Sequence, residues 1–339
     1  MKESRVIAFF LGIISLFIIG VFLKYSKPVL VPFSLAVFLS FLLNPVVEFL
    51  TRKKIPKAIA IIFILIFTFI LLYLLGLLLY SSGKAFASDL PRYGKKFDVL
   101  ITNLSQKWKL TSGRLESIDW AKQLNFSSIA SFLLSSLGSF LKFLTNLFLV
   151  LLFLVFILAG RGRLRDKILK SFKGQNSKKI IEIISNVDRQ VYRYLSIKTF
   201  ISLITGILAG LVLYIFGVNY AVLWGFLTFL LNYIPNLGSV IATVFPVLMA
   251  IIQFEKIWTA LWILLILIVI QTLMGNVIEP RVLGIRLGLS PLVVILSLIF
   301  WGWLWGIVGM ILAVPITSTI KIICENIPEL RVVSELLSQ

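Results

Sequence analysis

Gly275-Asn276-Val277-Ile278-Glu279-Pro280-Arg281-Val282-Leu283-Gly284-Ile285-Arg286-Leu287-Gly288-Leu289-Ser290-Pro291, followed by an apolar run to Pro315, decides how this chain is read. The quoted part sets one acid, two arginines and three glycines between two long hydrophobic spans. In the apolar run, Gly302, Gly306, Gly309 and Pro315 weaken any single straight helix, because Gly and Pro are the poorest helix formers. Broken backbone at membrane depth is tolerated only where protein or a water-filled cavity satisfies the freed N–H and C=O groups. In a multi-span protein such breaks point to a transport site.

Composition supports a membrane reading. The 339 residues are 59% hydrophobic and only 14% charged, with a mean hydropathy of +1.04. A soluble domain of this length needs far more charged surface. Residues 58–83 carry no charge, and that run alone exceeds the roughly 20 residues that span a bilayer. The fold class is therefore an all-α polytopic integral membrane protein. The net charge of +19 lies in short segments beside apolar spans, which is the positive-inside pattern. The implied partner is the lipid bilayer, anionic lipid included, and not nucleic acid.

Missing residue types narrow the chemistry. Cys324 is the one cysteine and histidine is absent, so no disulfide, cysteine-based metal site, His-Glu-x-x-His motif or Ser-His pair can form within the chain. The nearest approach to a nucleotide loop, Gly76 through Gly83-Lys84-Ala85, has the wrong spacing and lacks the magnesium-holding Ser/Thr. Neither an enzyme, a metal nor a cofactor is expected.

Along the chain, residues 1–80 read as three membrane helices, at about 6–23, 28–50 and 58–80, the first retained rather than cleaved. Arg52, Lys53, Lys54 and Lys57 crowd the loop between the second and third, placing that loop and the N-terminus in the cytoplasm. Residues 81–138 read as an extracytoplasmic amphipathic region of short helices, with breaks at Asn103, at Thr111-Ser112-Gly113 and at Asn125. A fourth membrane helix covers 139–160. Residues 161–198 are basic, and Ile180, Ile184, Val187, Val191 and Leu195 recur at helical spacing, predicting an amphipathic helix on the cytoplasmic membrane surface. Residues 199–320 form the transport core, in which only Glu255, Lys256, Glu279, Arg281 and Arg286 are charged. Residues 321–339 are a cytoplasmic tail, and about eight transmembrane segments result in a cell-membrane protein.

Two segments of that core are overlong for one span and interrupted: 220–252, broken at Asn232, Pro235, Asn236 and Gly238, and 289–320, broken at the glycines above. At an offset of 71, Phe229 aligns with Phe300, Gly238 with Gly309 and Ala242 with Ala313, while Pro246 and Pro315 need a gap. Two repeats, each a helix plus a broken or re-entrant hairpin, fit this pattern as well as chance similarity does.

Several stretches resemble the autoinducer-2 exporter (AI-2E) family of permeases, over most of the chain. In the second helix these are Pro32-Phe33-Ser34-Leu35-Ala36 and Leu43-Asn44-Pro45. Further on they are Tyr233-Ile234-Pro235-Asn236-Leu237-Gly238-Ser239, Asn276 through Gly288 with Leu289-Ser290-Pro291, and Gly306-Ile307-Val308-Gly309-Met310 through Ala313-Val314-Pro315. The resemblance implies a multi-pass permease, usually counted as eight transmembrane segments. Members are linked to export of autoinducer-2 and to sodium/proton antiport, so the fold does not choose the substrate.

The transport-pathway candidates are Asn232, Pro235, Asn236, Gly238, Asn276, Glu279, Pro280, Arg281, Gly284, Pro291, Gly302, Gly306, Gly309 and Pro315, with Pro32, Asn44 and Pro45 as the second-helix motif. Glu279 stands out, since a carboxylate at the membrane can bind a cation or exchange a proton. Its plainer role is an ion pair with Arg281 or Arg286. The asparagines can bind a polar solute or hydrogen-bond between helices. Gly206-x-x-x-Gly210 and Gly302-x-x-x-Gly306 are packing motifs, and Trp301, Trp303 and Trp305 form an aromatic belt or line a hairpin tip. The reading is a secondary transporter exporting a small polar solute or ion. A sodium/proton antiporter and a non-transporting scaffold using 81–138 are the alternatives, and homo-oligomerisation is left open. The topology predicts that cysteines at Ser4, Lys54 and Ser338, in a chain lacking Cys324, resist an impermeant thiol reagent in intact cells; labelling from outside contradicts it.

Overall fold

The computed structural model describes residues 2–107, 128, 130–131, 134–135, 140–160, 175–235, 237–254, 257–283, 289–327 and 330–338. It is helical: α1 (Lys2–Tyr25), α2 (Lys27–Arg52), α3 (Lys57–Lys107), α4 (Phe140–Gly160), α5 (Gln175–Ile215), α6 (Ala221–Leu231), α7 (Leu237–Gln253), α8 (Ile257–Thr272), a π-helical turn (Leu273–Ile278), α9 (Glu279–Leu283), α10 (Pro291–Trp305), α11 (Ile307–Asn326) and α12 (Arg331–Leu337). Among the described residues no strand forms, only a single antiparallel bridge between Leu289 and Ser338. Six of the described helices are long and apolar enough to cross a bilayer. The all-α polytopic class holds.

Boundaries differ from the sequence reading in three places. The third helix does not stop near residue 80; α3 continues to Lys107 through Gly83, Pro91 and the expected break at Asn103. Its extension keeps an inward face at Ala87, Leu90 and Tyr93, all buried, and tertiary packing of that face outweighs weak local propensity. The other expected breaks, at 111–113 and 125, lie outside the described residues. Second, the amphipathic segment and the next membrane helix form one helix, α5. Third, the later part of the α5 apolar stripe is covered by protein: Val187, Val191 and Leu195 pack with Leu289, Val314 and Ile322.

The chain folds as two compact units. The first comprises Met1–Phe67, Asn146–Ile197 and Leu283–Gln339. Its core joins α2, the start of α3 and α4 through Ala36, Ala60, Ile64, Leu154 and Leu158. The helical hairpin α10–α11 turns at Gly306, whose φ of 68° lies in the left-handed region that favours glycine. Its tip meets the end of α1: Trp305 Nε1 donates to the Leu23 carbonyl at 3.2 Å, and the Lys24 ammonium lies 4.6 Å from the centre of the Trp303 ring. Trp303 and Trp305 stand at the hairpin tip, with Trp303 largely exposed there.

The second unit comprises Thr68–Thr145 and Lys198–Val282. A core of Tyr93, Leu213, Trp224, Val247, Ile263 and Leu267 ties α3, α5, α6, α7 and α8 together. The Gly206-x-x-x-Gly210 motif is a close helix crossing: a Cβ on Gly206 would stand 2.7 Å from the Gly225 carbonyl oxygen, and one on Gly225 2.8 Å from that of Gly206. The hairpin α6–α7 is short. Its first arm rises about 16 Å, roughly half the hydrocarbon core of a bilayer.

The two hairpins share one packing device. A Cβ on Gly238 would run into the Leu231 carbonyl, and one on Gly309 into the Trp301 carbonyl. In both, the second arm crosses the first so closely that only glycine fits, and these are the glycines related by the offset of 71. Gly238→Ala and Gly309→Ala should each cost about 2 kcal/mol or more, because packed backbone yields little to an inserted methyl. Gly160→Ala, with nothing within 4 Å of the new Cβ, should be tolerated. Thermal unfolding in detergent measures the difference; equal midpoints for all three would contradict the crossing geometry.

Candidate functional site

The site grows from the point on α5 where charge gives way to apolar sequence. Residues 175–198 alternate charged and apolar side chains, whereas no formal charge occurs from Thr199 to Phe254. Lys198 is the last cation before that stretch, and its side chain is only 8% exposed. A buried ammonium needs an opposite charge. Glu279 supplies it, accepting from Lys198 Nζ on both carboxylate oxygens at 2.7 and 2.8 Å.

Glu279 is presented by a break of a particular kind. Pro280 has no N–H, and its ring clashes with the carbonyl four residues back. The ladder shifts ahead of it: Leu273–Ile278 is π-helical, and the Glu279 N–H donates to the Met274 carbonyl, five residues back. The interruption expected at residues 275–283 is therefore a change of helical register, with the chain helical through Leu283. Glu279 pairs with Lys198, not with Arg281 as weighed from sequence; Arg281 is exposed, and Arg286 lies outside the described residues.

The tip of the α6–α7 hairpin rests on the same region of α5. Asn232 Nδ2 donates to Ser202 Oγ at 3.1 Å, and the Tyr233 hydroxyl donates to Thr199 Oγ1 at 2.7 Å. Lys198 and Ser202 are four apart and share one helix face. Lys198, Thr199, Ser202, Asn232, Tyr233 and Glu279 thus form a polar layer about one helical turn thick within the second unit.

The opposite end of the hairpin is tied by a second polar cluster. Gln253, at the end of α7, accepts from the Asn219 backbone N–H at 2.8 Å and donates to the Gly217 carbonyl at 2.7 Å. The hairpin therefore begins and ends at the same level. Asn219 Nδ2 donates to the Tyr93 hydroxyl at 2.9 Å, and the Tyr220 hydroxyl donates to Asp89 on α3.

Of the sequence candidates, the structure brings Asn232 and Glu279 together on α5. Pro235 lies in the hairpin turn and Gly238 at its crossing, while Asn276, Pro280 and Arg281 are exposed. Asn236 and Gly284 fall outside the described residues. The remainder lie in the first unit. Pro291 opens α10, Gly302 packs on Met310, Gly306 makes the turn, Gly309 the crossing, and Pro315 is buried inside α11. In α2, Pro32 is buried, and Asn44 Nδ2 donates to Glu48 at 2.6 Å beside Pro45. Sequence reasoning missed Lys198, Thr199, Ser202, Tyr233 and Asp89. The available signal was Lys198 itself, a lone cation at the edge of an uncharged run with a serine one turn on. Among the described residues no cluster of three acidic or cysteine side chains could hold a metal.

The sequence profile described as AI-2E family transporter matches residues 8–329. A putative transport protein of Haemophilus influenzae is 36% identical over 329 residues, covering 94% of this chain and 92% of that protein. One from Borreliella burgdorferi is 33% identical, covering 95% and 88%. The AI-2 transport protein TqsA of Escherichia coli is 32% identical, covering 98% and 95%.

The buried pair makes a stability prediction. Glu279→Gln alone strands a buried ammonium and should lose about 3 kcal/mol, since breaking a buried pair costs more than replacing it whole. Adding Lys198→Met should recover most of that loss. Thermal unfolding of the single and double variants decides, and an unaltered midpoint for Glu279→Gln would show the pair to be dispensable.

Proposed function

The chain belongs to the AI-2E transporter family and is a multi-pass membrane transporter, and we propose that it works as a secondary permease exporting a small polar organic solute, with Lys198–Glu279 as its ion-responsive element. The observation that carries this reading is a bidentate ion pair at the edge of an uncharged segment, one helical turn from the tip of the α6–α7 hairpin. A proton or a cation at Glu279 competes directly with the Lys198 ammonium for the carboxylate. Occupancy of the carboxylate therefore bears on the α5 face where Asn232 and Tyr233 rest. Membrane carboxylates next to broken helices are where secondary transporters couple ion and solute movement.

The Escherichia coli relative is named an AI-2 transport protein, and we take this chain's solute to belong to the broad class of small polar organic molecules. Sodium/proton antiport is the second reading, favoured by the same competition at Glu279. Both readings place the protein in the cell membrane with cytoplasmic termini, the basic loops lying inside.

Flux from proteoliposomes tests the coupling. Lys198→Met with Glu279→Gln should give folded protein whose flux no longer depends on pH or sodium. Lys198→Arg and Glu279→Asp, which keep the charges, should retain that dependence. A double variant with the wild-type pH and sodium profiles would remove Glu279 from coupling.

A further inference from the structure

Helix α6, the first arm of the α6–α7 hairpin, contains only two side chains able to hydrogen-bond, Trp224 and Thr228. They lie four residues apart, hence on one face. Trp224 is 6% exposed and Thr228 1%. Neither the Trp224 indole N–H nor the Thr228 hydroxyl has a hydrogen-bond partner among the described residues. Buried polar groups in folded proteins are nearly always partnered, so two orphans one turn apart on an otherwise apolar helix call for an occupant.

Their surroundings extend the pattern. Four residues before Trp224 stands Tyr220, bonded to Asp89; four after Thr228 stands Asn232, bonded to Ser202. Trp224 and Thr228 stand on one face of α6 between its capping residues Tyr220 and Asn232, so the series 220, 224, 228, 232 joins the two polar clusters at the two ends of α6. We propose that Tyr220, Trp224, Thr228 and Asn232 form the file of hydrogen-bonding groups along which the solute passes through the second unit, and that this file selects an uncharged solute bearing hydroxyl-type donors and acceptors. The proposal rests on the transporter reading above and narrows its solute class.

Charge is confined to the two ends of the file, at Asp89 beside Tyr220 and at Lys198–Glu279 one turn from the Asn232–Ser202 contact, while α6 between them carries none. From Thr199 to Phe254 there is no ionisable acid or base with a formal charge at neutral pH to neutralise an ion. The indole N–H is a donor only and offers a cation no lone pair, and α6 supplies no ammonium or guanidinium for an anion. An uncharged hydroxyl can accept from Trp224 and both accept from and donate to Thr228. Phe86 and Phe245, whose ring centres lie 5.4 and 6.4 Å from that of Trp224, give the indole apolar flanks and hold it in place.

Trp224→Phe and Thr228→Val keep the shapes and remove the hydrogen-bonding groups. The probes are erythritol and erythronate, equal in carbon count and different in charge, with entry into proteoliposomes followed by light scattering. Wild-type vesicles should admit erythritol and exclude erythronate. Each variant should slow erythritol about tenfold, as losing one hydrogen bond of ordinary strength does, while flux keeps its response to pH. Undiminished erythritol entry in both variants, or erythronate entering as fast as erythritol, would overturn the proposal. So would wild-type vesicles that move sodium but not erythritol.

Vesicles impermeable to every probe would count against the transporter reading instead, and a second measurement then decides the file. With 5-fluorotryptophan in the protein, the fluorine resonance that Trp224→Phe removes should shift between light and heavy water, marking a hydrated indole. The absence of that shift would show a dry core and sink the proposal.

Discussion

The second unit is arranged around one buried charge. Lys198 ends the charged half of α5 and begins a stretch of 199–254 without formal charge, so its ammonium must be neutralised where it stands. The partner has to come from another helix at the same depth, and a regular α-helix through Pro280 would place Glu279 in a different register. The π-helical turn resolves both demands, giving up one residue of register so that Pro280 is accommodated and the carboxylate meets the ammonium on both oxygens. The hairpin tip then settles on the next turn of α5 through Ser202 and Thr199.

Close backbone contact is the second constraint. Helices in a membrane gain nothing from leaving water, so association depends on approach distance and on hydrogen bonds. Gly206 and Gly225 bring α5 and α6 together, and Gly238 does the same within the α6–α7 hairpin. In the first unit Gly309 repeats this contact in α10–α11. The recurrence of one crossing device at an offset of 71 gives the weak internal similarity a physical content: each hairpin needs a residue without a side chain in the first turn of its second arm.

Much of this was legible in the residues. Hydropathy gave the membrane class, and the broken segments 220–252 and 289–320 are the two hairpins, with the turn at Gly306 where glycine is required. Helix length was less legible. α3 passes through Pro91 and α5 through the junction near 198, because buried faces continue beyond the apolar windows that mark a span. The apolar stripe at Val187, Val191 and Leu195 was visible, but amphipathicity alone does not say whether lipid or protein covers it. The pairing of Glu279 was hidden for a related reason. Arg281 is near in sequence, whereas Lys198 is 81 residues away and becomes its partner only once the π-turn sets the register.

The proposed permease requires the hairpin tip and the α5 face beneath it to part as solute moves. Ser202 and Asn232 are already in hydrogen-bond contact there. The most direct measurement is transport with that contact locked: Ser202→Cys with Asn232→Cys, in a chain carrying Cys324→Ser, oxidised to the disulfide in proteoliposomes. The account predicts that oxidation stops flux and that a reductant restores it. Full flux through the cross-linked protein would contradict it.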